Sequence, residues 1–304
     1  APAPAPAPTP VPEHFEDAFD KLGVAGELLS HWEALEIAGF TPPVCEEEKQ
    51  EARGEEVESK VRGAALWCLQ QILVDVGLPT EAWFDAAALI DAYLVQASSN
   101  GASECVKRLP FVVAVIARMM KKESTEVRAD PYKFHMIPAW VAQHFGALGH
   151  HVKVAPQATD QELNCAEHHV LSTLQWRVSL PTLASWTTAY FKRLDVLTEK
   201  QRSDQIRTAW QRTLLMGQIL IAKQAPTGEC TTQRLARGLL VLSMMSAESG
   251  AVGVPAGRPL SLEAAAGASA SDLQDDCRVA VLAIRRAGYN PWSFGPSAET
   301  HASV

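Results

Sequence analysis

The sequence has no apolar run long enough to cross a bilayer and no closely spaced cysteines. Its longest apolar stretch, residues 109–120, contains Pro110 and Arg118, whereas a membrane helix needs about 20 predominantly apolar residues. The six cysteines stand singly without a CxxC pair, which excludes a zinc ribbon and a dense disulfide framework and favours a reducing compartment. The first residues also lack the basic start and apolar core of a secretory signal, so we expect a protein of the nucleus or cytoplasm.

Motifs of catalysis and of nucleic-acid binding are scarce as well. Gly250, Gly253 and Gly257 form a glycine-rich segment, but no GK[ST] follows and no strand pattern precedes it, so it is not a nucleotide-binding loop. Metalloprotease, hydrolase and kinase signatures are absent. With 27 basic and 35 acidic residues the net charge is −8, which argues against a general nucleic-acid binder. We therefore expect a protein that is not an enzyme and needs no cofactor.

One cluster keeps a catalytic alternative open. Cys165, His168 and His169 follow each other at spacings i, i+3 and i+4, which would put a thiol and an imidazole on one helical face, with His150 and His151 upstream. No third group with a defined spacing completes a zinc site or a Cys–His dyad. A small buried cysteine beside surface histidines is the simpler interpretation, so we expect no metal site.

What the chain does have is one helical pattern after another. Residues 111–120 are apolar on nearly every side, which is typical of a helix buried all round. The other patterns repeat apolar residues at i, i+3 and i+4, and they fall into two sets of about five helices that meet near Leu180. In the second half the predicted helical segments are 183–197, 202–223, 231–246 and 271–287. We predict an all-α fold with two consecutive five-helix domains.

The N-terminal segments differ from these domains in composition. Residues 1–12 hold six prolines in strict alternation, which predicts an extended tail of polyproline-II type. We interpret it as a spacer, with a ligand for an aromatic groove as the alternative. Residues 46–60 hold seven acids and three bases and predict a solvated linker or helix start. The predicted domains are a disordered Ala/Pro tail (1–12), an N-terminal helix with an acidic linker (13–56), a first helical domain (57–180) with an insertion at about 134–160, a second helical domain (181–290) and a flexible tail (291–304).

Three segments, in this order, resemble the cyclin box. Residues 60–69 (KVRGAALWCL) stand where cyclins carry their opening K-M-R-A-x-L-x-D-W-L helix. Residues 81–94 (EAWFDAAALIDAYL) are similar to the ETL…A…YIDRFL helix. Residues 167–182 (EHHVLSTLQWRVSLPT) are similar to the E-x-x-[IV]-L-x-x-L-x-[WF]-x-[LV]…P-T segment. The resemblance covers residues 57–182. It implies two consecutive cyclin-fold domains, although residues 183–290 match the family only as a second set of five helices.

The resemblance implies a function without an active site. Cyclins bind the mobile helix of a cyclin-dependent kinase through a Lys late in the third helix and a Glu early in the fifth. Glu167 matches the Glu. An alignment on the family residues that flank the Lys places Lys121 at this position, with Lys122 as its substitute. An alignment without gaps from the start of the helix places Met119 there instead.

Local charge and apolar residues suit an interface in the same region. Residues 107–133 hold seven bases and three acids, a local net charge of +4 in an acidic half of the chain. Phe111, Val115 and Met119 recur one helical turn apart before the two lysines. We therefore expect a kinase-binding surface with an apolar centre and a cationic rim.

The resemblance also implies a docking patch for short substrate motifs. Its positions match Val61, Ala65 and Cys68, which are all small. A shallow groove offers little apolar area to an anchor side chain, at about 25 cal/mol per Å² buried. We therefore do not expect docking of this kind.

The sequence thus predicts a cyclin-like regulatory subunit that binds and activates a cyclin-dependent Ser/Thr protein kinase. The alternative is a cyclin-fold scaffold or transcription-associated adaptor without kinase activation. Two departures from the family favour that alternative: Trp67 and Cys68 replace the family's Asp-Trp pair, and residues 134–160 are interpreted as an insertion.

Overall fold

The computed structural model describes residues 21, 26–37, 52–98, 102–123, 133–179, 181–223, 231–249 and 262–291. Within these ranges every regular element is an α-helix and no strand is present, which confirms the predicted all-α class. None of the helices found there is long and apolar enough to span a membrane. The predicted tail at residues 1–12 lies outside the described residues, as does all but the first residue of the predicted tail at 291–304.

The described residues form eleven helices. They are α1 (Gly26–Ile37), α2 (Ala52–Asp75), α3 (Thr80–Ser98), α4 (Ala102–Glu123), α5 (Lys133–Ala147), α6 (Asp160–Thr173), α7 (Leu183–Leu197), α8 (Ser203–Ala222), α9 (Thr232–Ser249), α10 (Leu262–Ala266) and α11 (Ala270–Arg286).

The chain divides into two compact units. Unit I is Glu48–Leu180 and contains α2 to α6. Unit II combines Ala1–Glu47 with Pro181–Val304 and contains α1 together with α7 to α11. The N-terminal helix therefore belongs to the same unit as the C-terminal half of the chain, although the acidic segment and all of unit I separate them in the sequence.

Helix α4 is the centre of unit I because its sequence is apolar on every side. The helices α2, α3, α5 and α6 all pack against it. The side chains of residues 112–117 are at most 1% exposed. Charged residues come only towards its ends, and Lys121 and Lys122 occupy the last turn, where cations interact favourably with the free carbonyl groups.

Residues 134–160, interpreted from the sequence as an insertion, contain a helix of this core. Helix α5 packs against α4 and α2. Phe134, Val141 and Phe145 recur at helical spacing and are buried. The helical half of the segment is therefore part of the packed unit.

Unit II has a comparable centre in α9, which packs against α7, α8 and α11. Leu235, Leu239 and Leu242 are buried along it. The approach of α11 is so close that a Cβ atom on Gly238 would lie 2.2 Å from the backbone oxygen of Asp276. Glycine is therefore required where the two helices touch.

Helix α1 is held to unit II by a buried carboxylate and a tryptophan pair. The indole Nε1–H of Trp186 and the backbone N–H of Gln233 donate to Glu36 Oε1, at 3.0 and 3.1 Å. Trp32 packs edge-on against the same Trp186 ring, with centroids 5.2 Å apart. Because Gln233 lies in the first turn of α9, Glu36 also supplies an acceptor to N–H groups that the helix leaves free.

Candidate protein-binding site around Glu167

The candidate site lies on α6, whose start is fixed by its own sequence. The Thr159 hydroxyl accepts from the backbone N–H of Glu162 at 3.2 Å, and the Glu162 carboxylate accepts from the backbone N–H of Thr159 at 2.7 Å. This capping box satisfies two backbone donors at the start of the helix. Leu163 and Val170 are buried against the rest of unit I, and Glu167 lies between them in sequence at the edge of this face.

The Glu167 carboxylate is held by two cations of α4. The Lys122 Nζ atom lies 2.7 Å from Oε1 and 2.9 Å from Oε2. Arg118 donates to Oε2 as well, and it also donates to Asn164 Oδ1 at 2.9 Å. The Glu167 side chain is 18% exposed and that of Lys122 is 58% exposed, so the cluster lies at the surface with its acid partly covered.

These contacts keep Glu167 ionised. Burial alone would raise the pKa of this carboxyl group, but the hydrogen bonds and positive charges of Lys122 and Arg118 outweigh that effect and hold the pKa below its usual value. At neutral pH the site therefore presents a charged acceptor, the form that makes the stronger hydrogen bonds.

The three alternatives for the site lysine differ in their surroundings. Lys122 contacts Glu167, whereas Lys121 is partly covered and loss of hydration lowers the pKa of its ammonium group. Met119 is only 7% exposed and Val115 is fully buried, so these two side chains pack in the core. The expected apolar centre is therefore wrong at Val115 and Met119, because this part of α4 is covered by the helices packed against it. Phe111 is half-buried.

Two surface residues of this region were not singled out from the sequence. Arg118 was noted only as an interruption of the apolar stretch and as part of the local charge, although its spacing of four residues from Lys122 puts both on one helical face. Trp176 follows α6 and is 62% exposed, next to His168 with ring centroids 6.1 Å apart. Both Gln175 and Trp176 have positive φ, 53° and 63°, so the chain turns sharply there and projects the indole from the surface.

The positions of the implied substrate-docking patch are not at the surface. Val61, Ala65 and Cys68 are at most 2% exposed, because this face of α2 packs inward. Burial raises the pKa of the Cys68 thiol to about 12, so it is inert at neutral pH. No groove is formed by these three residues.

An ion pair links the first two segments that resemble the cyclin box. Arg62 Nε and Nη2 donate to the two carboxylate oxygens of Asp91 at 2.6 and 2.7 Å, which joins α2 to α3. The Arg62 side chain is 10% exposed. Arg62 and Asp91 lie in the first and second of the segments that resemble the cyclin box, but they are 29 residues apart and the sequence does not indicate that they pair.

The alternative cluster of Cys165, His168 and His169 does not come together. His169 lies against the Tyr93 hydroxyl at 3.3 Å and beside Arg108, while His168 lies beside Ser172 and Trp176. Burial and the Arg108 charge lower the pKa of His169, which favours its neutral form. Across the described ranges, no three His, Cys, Asp or Glu side chains are grouped so as to hold a metal ion.

Comparison with models of known protein families, with curated proteins and with solved structures finds no match to this chain. The likeness to the cyclin box therefore rests on the three sequence segments alone.

Proposed function

We propose that this protein is a cyclin-like regulatory subunit that binds a cyclin-dependent Ser/Thr protein kinase through unit I and activates it. The observation that carries the proposal is Glu167. It matches the family's kinase-binding Glu, and it lies as an ionised acceptor at the surface beside Lys122.

The contacts of Glu167 leave room for a partner. Oε1 accepts one hydrogen bond, from Lys122, whereas Oε2 accepts from both Lys122 and Arg118. A carboxylate oxygen has two lone pairs, so Oε1 retains an acceptor position for a backbone N–H of a partner. Arg118 and Lys122 fix the direction of that acceptor, so little conformational entropy remains to be lost on binding.

Trp176 supplies the apolar part of such an interface. Exposed tryptophans are uncommon on free surfaces and are enriched among the residues that dominate binding energy. Here the exposed indole follows the helix that carries Glu167, and Glu167 and Lys122 add the charged groups expected at the edge.

The proposal is tested by titrating the protein against a panel of purified cyclin-dependent kinases. Binding is measured by calorimetry and activation by phosphorylation of a peptide substrate. Glu167→Ala removes a charge-assisted acceptor, typically about 1.5–3 kcal/mol, so affinity is expected to fall roughly 10- to 100-fold. Lys122→Ala and Lys121→Ala are measured beside it, and we expect the larger loss from Lys122→Ala.

Glu104→Ala is the matched control. It removes an exposed carboxylate that pairs with Arg108 and Lys107 at the opposite end of α4, and binding should be unchanged. Circular dichroism and Glu167→Gln, which keeps the shape of the side chain, separate loss of binding from loss of folding. If no kinase of the panel binds the wild-type protein, or Glu167→Ala binds as the control does, the proposal fails.

The second candidate is a cyclin-fold scaffold or adaptor that does not activate a kinase. The burial of Val61, Ala65 and Cys68 favours it, because a subunit without a docking patch has no such means of recruiting substrates. A protein that binds a kinase of the panel but leaves its phosphorylation rate unchanged would identify this second candidate.

A further inference from the structure

Side chains from three helices of unit I meet at His169. The Tyr93 hydroxyl of α3 lies 3.3 Å from Nε2 of His169 in α6, and the two rings meet edge-on with centroids 6.0 Å apart. The Nη1 atom of Arg108 in α4 lies 3.3 Å from Nε2 and 3.5 Å from Nδ1 of the same imidazole. Tyr93 is fully buried, His169 is half-buried and Arg108 is exposed. We call these three residues the His169 cluster.

The neutral form of His169 suits this position, because one nitrogen of a neutral imidazole accepts a hydrogen bond. The guanidinium group of Arg108 can only donate. Burial raises the pKa of the Tyr93 phenol to about 12, so Tyr93 keeps its proton and can donate as well. A protonated imidazole has two donors and no acceptor, and its charge would lie within 3.5 Å of the guanidinium nitrogen. Protonation therefore removes the acceptor nitrogen and places two like charges side by side.

The charges of α4 around the cluster stay constant in the pH range where a histidine titrates. Glu104 accepts from Arg108 at 3.2 Å and lies 3.6 Å from Lys107, at a surface position where its side chain is 52% exposed. The hydrogen bond from Arg108 and the charge of Lys107 hold the pKa of Glu104 below its usual value, so it remains ionised. Cys105 is buried near the phenol, and a thiol carries no charge in acid. His169 is therefore the group of this cluster whose charge changes below neutral pH.

We propose that His169 is a pH-sensitive switch that holds the second half of α6 against α3 when it is neutral and loosens it when it is protonated. Burial and the Arg108 charge lower the pKa of His169 below the ordinary 6.5, so the unfolded chain binds this proton more tightly than the folded unit does. The stabilisation is therefore complete above pH 6.5 and is lost as the pH falls through the lower folded value.

The switch also bears on the candidate site, because Glu167 lies two residues before His169 on the same helix. Acidification should then weaken the binding of a kinase at Glu167. That consequence rests on the proposed function, whereas the switch itself does not, and it is tested without any partner.

The test is a pair of pH titrations on the full chain. Proton NMR of the histidine rings, with the His169 signal identified by its loss in His169→Gln, should give a titration midpoint below 6.5 for this ring. Arg108→Gln removes the charge but keeps a donor, so it should move that midpoint upwards. Hydrogen exchange of the amides of residues 167–173 should show a loss of protection between pH 7.5 and pH 5.5. The rates are corrected for the intrinsic effect of pH and compared with those of α8 in unit II.

Variants at two neighbouring histidines make the result specific. His169→Gln stays neutral and should keep the same protection at both pH values. His168→Gln is the matched control, because it removes the exposed neighbour and should lose protection in acid as the wild type does. If His169→Gln does not fold, Arg108→Gln answers the same question, since its loss of protection should be smaller than that of the wild type. A His169 midpoint at or above 6.5 overturns the proposal, as does an equal loss of protection in the wild type and His169→Gln.

Discussion

Single carboxylates fix several of the contacts between helices in this protein. Asp276 is 1% exposed and accepts from Arg234 and Arg237, both at 2.8 Å. Asp91 accepts the two-pronged contact from Arg62. A covered carboxylate is stable only with such donors, because an unpaired buried charge costs several kcal/mol. Removing one partner of such a pair therefore lowers stability by more than the intact pair contributes to it, because the other partner is left buried and unpaired.

Removal of Arg62 is expected to destabilise unit I strongly. Arg62→Ala leaves the Asp91 carboxylate partly buried without its donor, which costs about 3–5 kcal/mol when one partner of a buried pair is removed. The measurement is the free energy of unfolding in urea. Arg278→Ala is the control, since its pair with Asp275 is exposed on both sides and should contribute less than about 1 kcal/mol. Similar losses in the two variants would contradict the expectation.

At the scale of helices, the contact between α9 and α11 depends on a missing side chain. Gly238→Ala should destabilise unit II by about 1–3 kcal/mol or more, because the added methyl group meets backbone atoms of Asp276 that have no flexible end to move aside. Gly63→Ala adds the same methyl group inside α2, where nothing lies within 4 Å, and should stabilise by about 0.5–1 kcal/mol. Urea unfolding of both variants checks the pair, and the same sign of change in both would refute it.

The attachment of α1 should depend on pH through Glu36. Burial raises the pKa of this carboxyl group, although Gln233 and Trp186 donate to it. The folded state therefore binds its proton more tightly than the unfolded state. Stability gains from this group as pH falls from neutral through the folded pKa, and the gain is complete below the unfolded value of 4.5.

Glu36→Gln cannot take up this proton and should lack the gain. The difference in unfolding free energy between wild type and Glu36→Gln should shift in favour of wild type between pH 8 and pH 4, as measured by urea titrations at several pH values. Parallel stability curves for the two proteins would show that Glu36 has the same pKa in both states.

At the scale of the whole molecule, unit II is assembled from two separate parts of the chain. A protein without residues 1–47 loses Glu36 and Trp32, so the Trp186 Nε1–H and the Gln233 N–H lose their acceptor. Each buried donor left unpaired costs about 1–3 kcal/mol, so unit II should melt at a lower temperature. Unit I, which contains none of these contacts, should keep its own melting temperature.

Removal of residues 1–25 alone is the matched control, because it leaves α1 with Trp32 and Glu36 in place. The part of the change that belongs to α1 is the difference between the two shortened proteins. Limited proteolysis followed by mass spectrometry identifies which unit is cleaved first. Early cleavage within residues 48–180 of the shorter protein would contradict the assignment of α1 to unit II.

Much of the helical structure could be predicted because helix formation is encoded locally. The segment predicted at 183–197 is α7, and the all-apolar run at 111–120 lies in the central helix of unit I. The spacing of apolar residues indicates which face of a helix is buried, but it does not indicate which other elements cover that face. For that reason the sequence offered Val115 and Met119 as surface residues, when they are packed in the core.

The sequence by itself determined that the chain is all-α, because strand patterns are sparse and helical periodicity recurs along it. Only the tertiary structure decided which side chains meet. Arg62 and Asp91 are 29 residues apart, and Glu36 and Gln233 are 197 apart. Likewise, only the packing of α4 against α6 selected Lys122 rather than Lys121 for Glu167. Neighbouring residues on a helix point about 100° apart, so a partner displaced by one position faces a different neighbour, and no local pattern specifies which one.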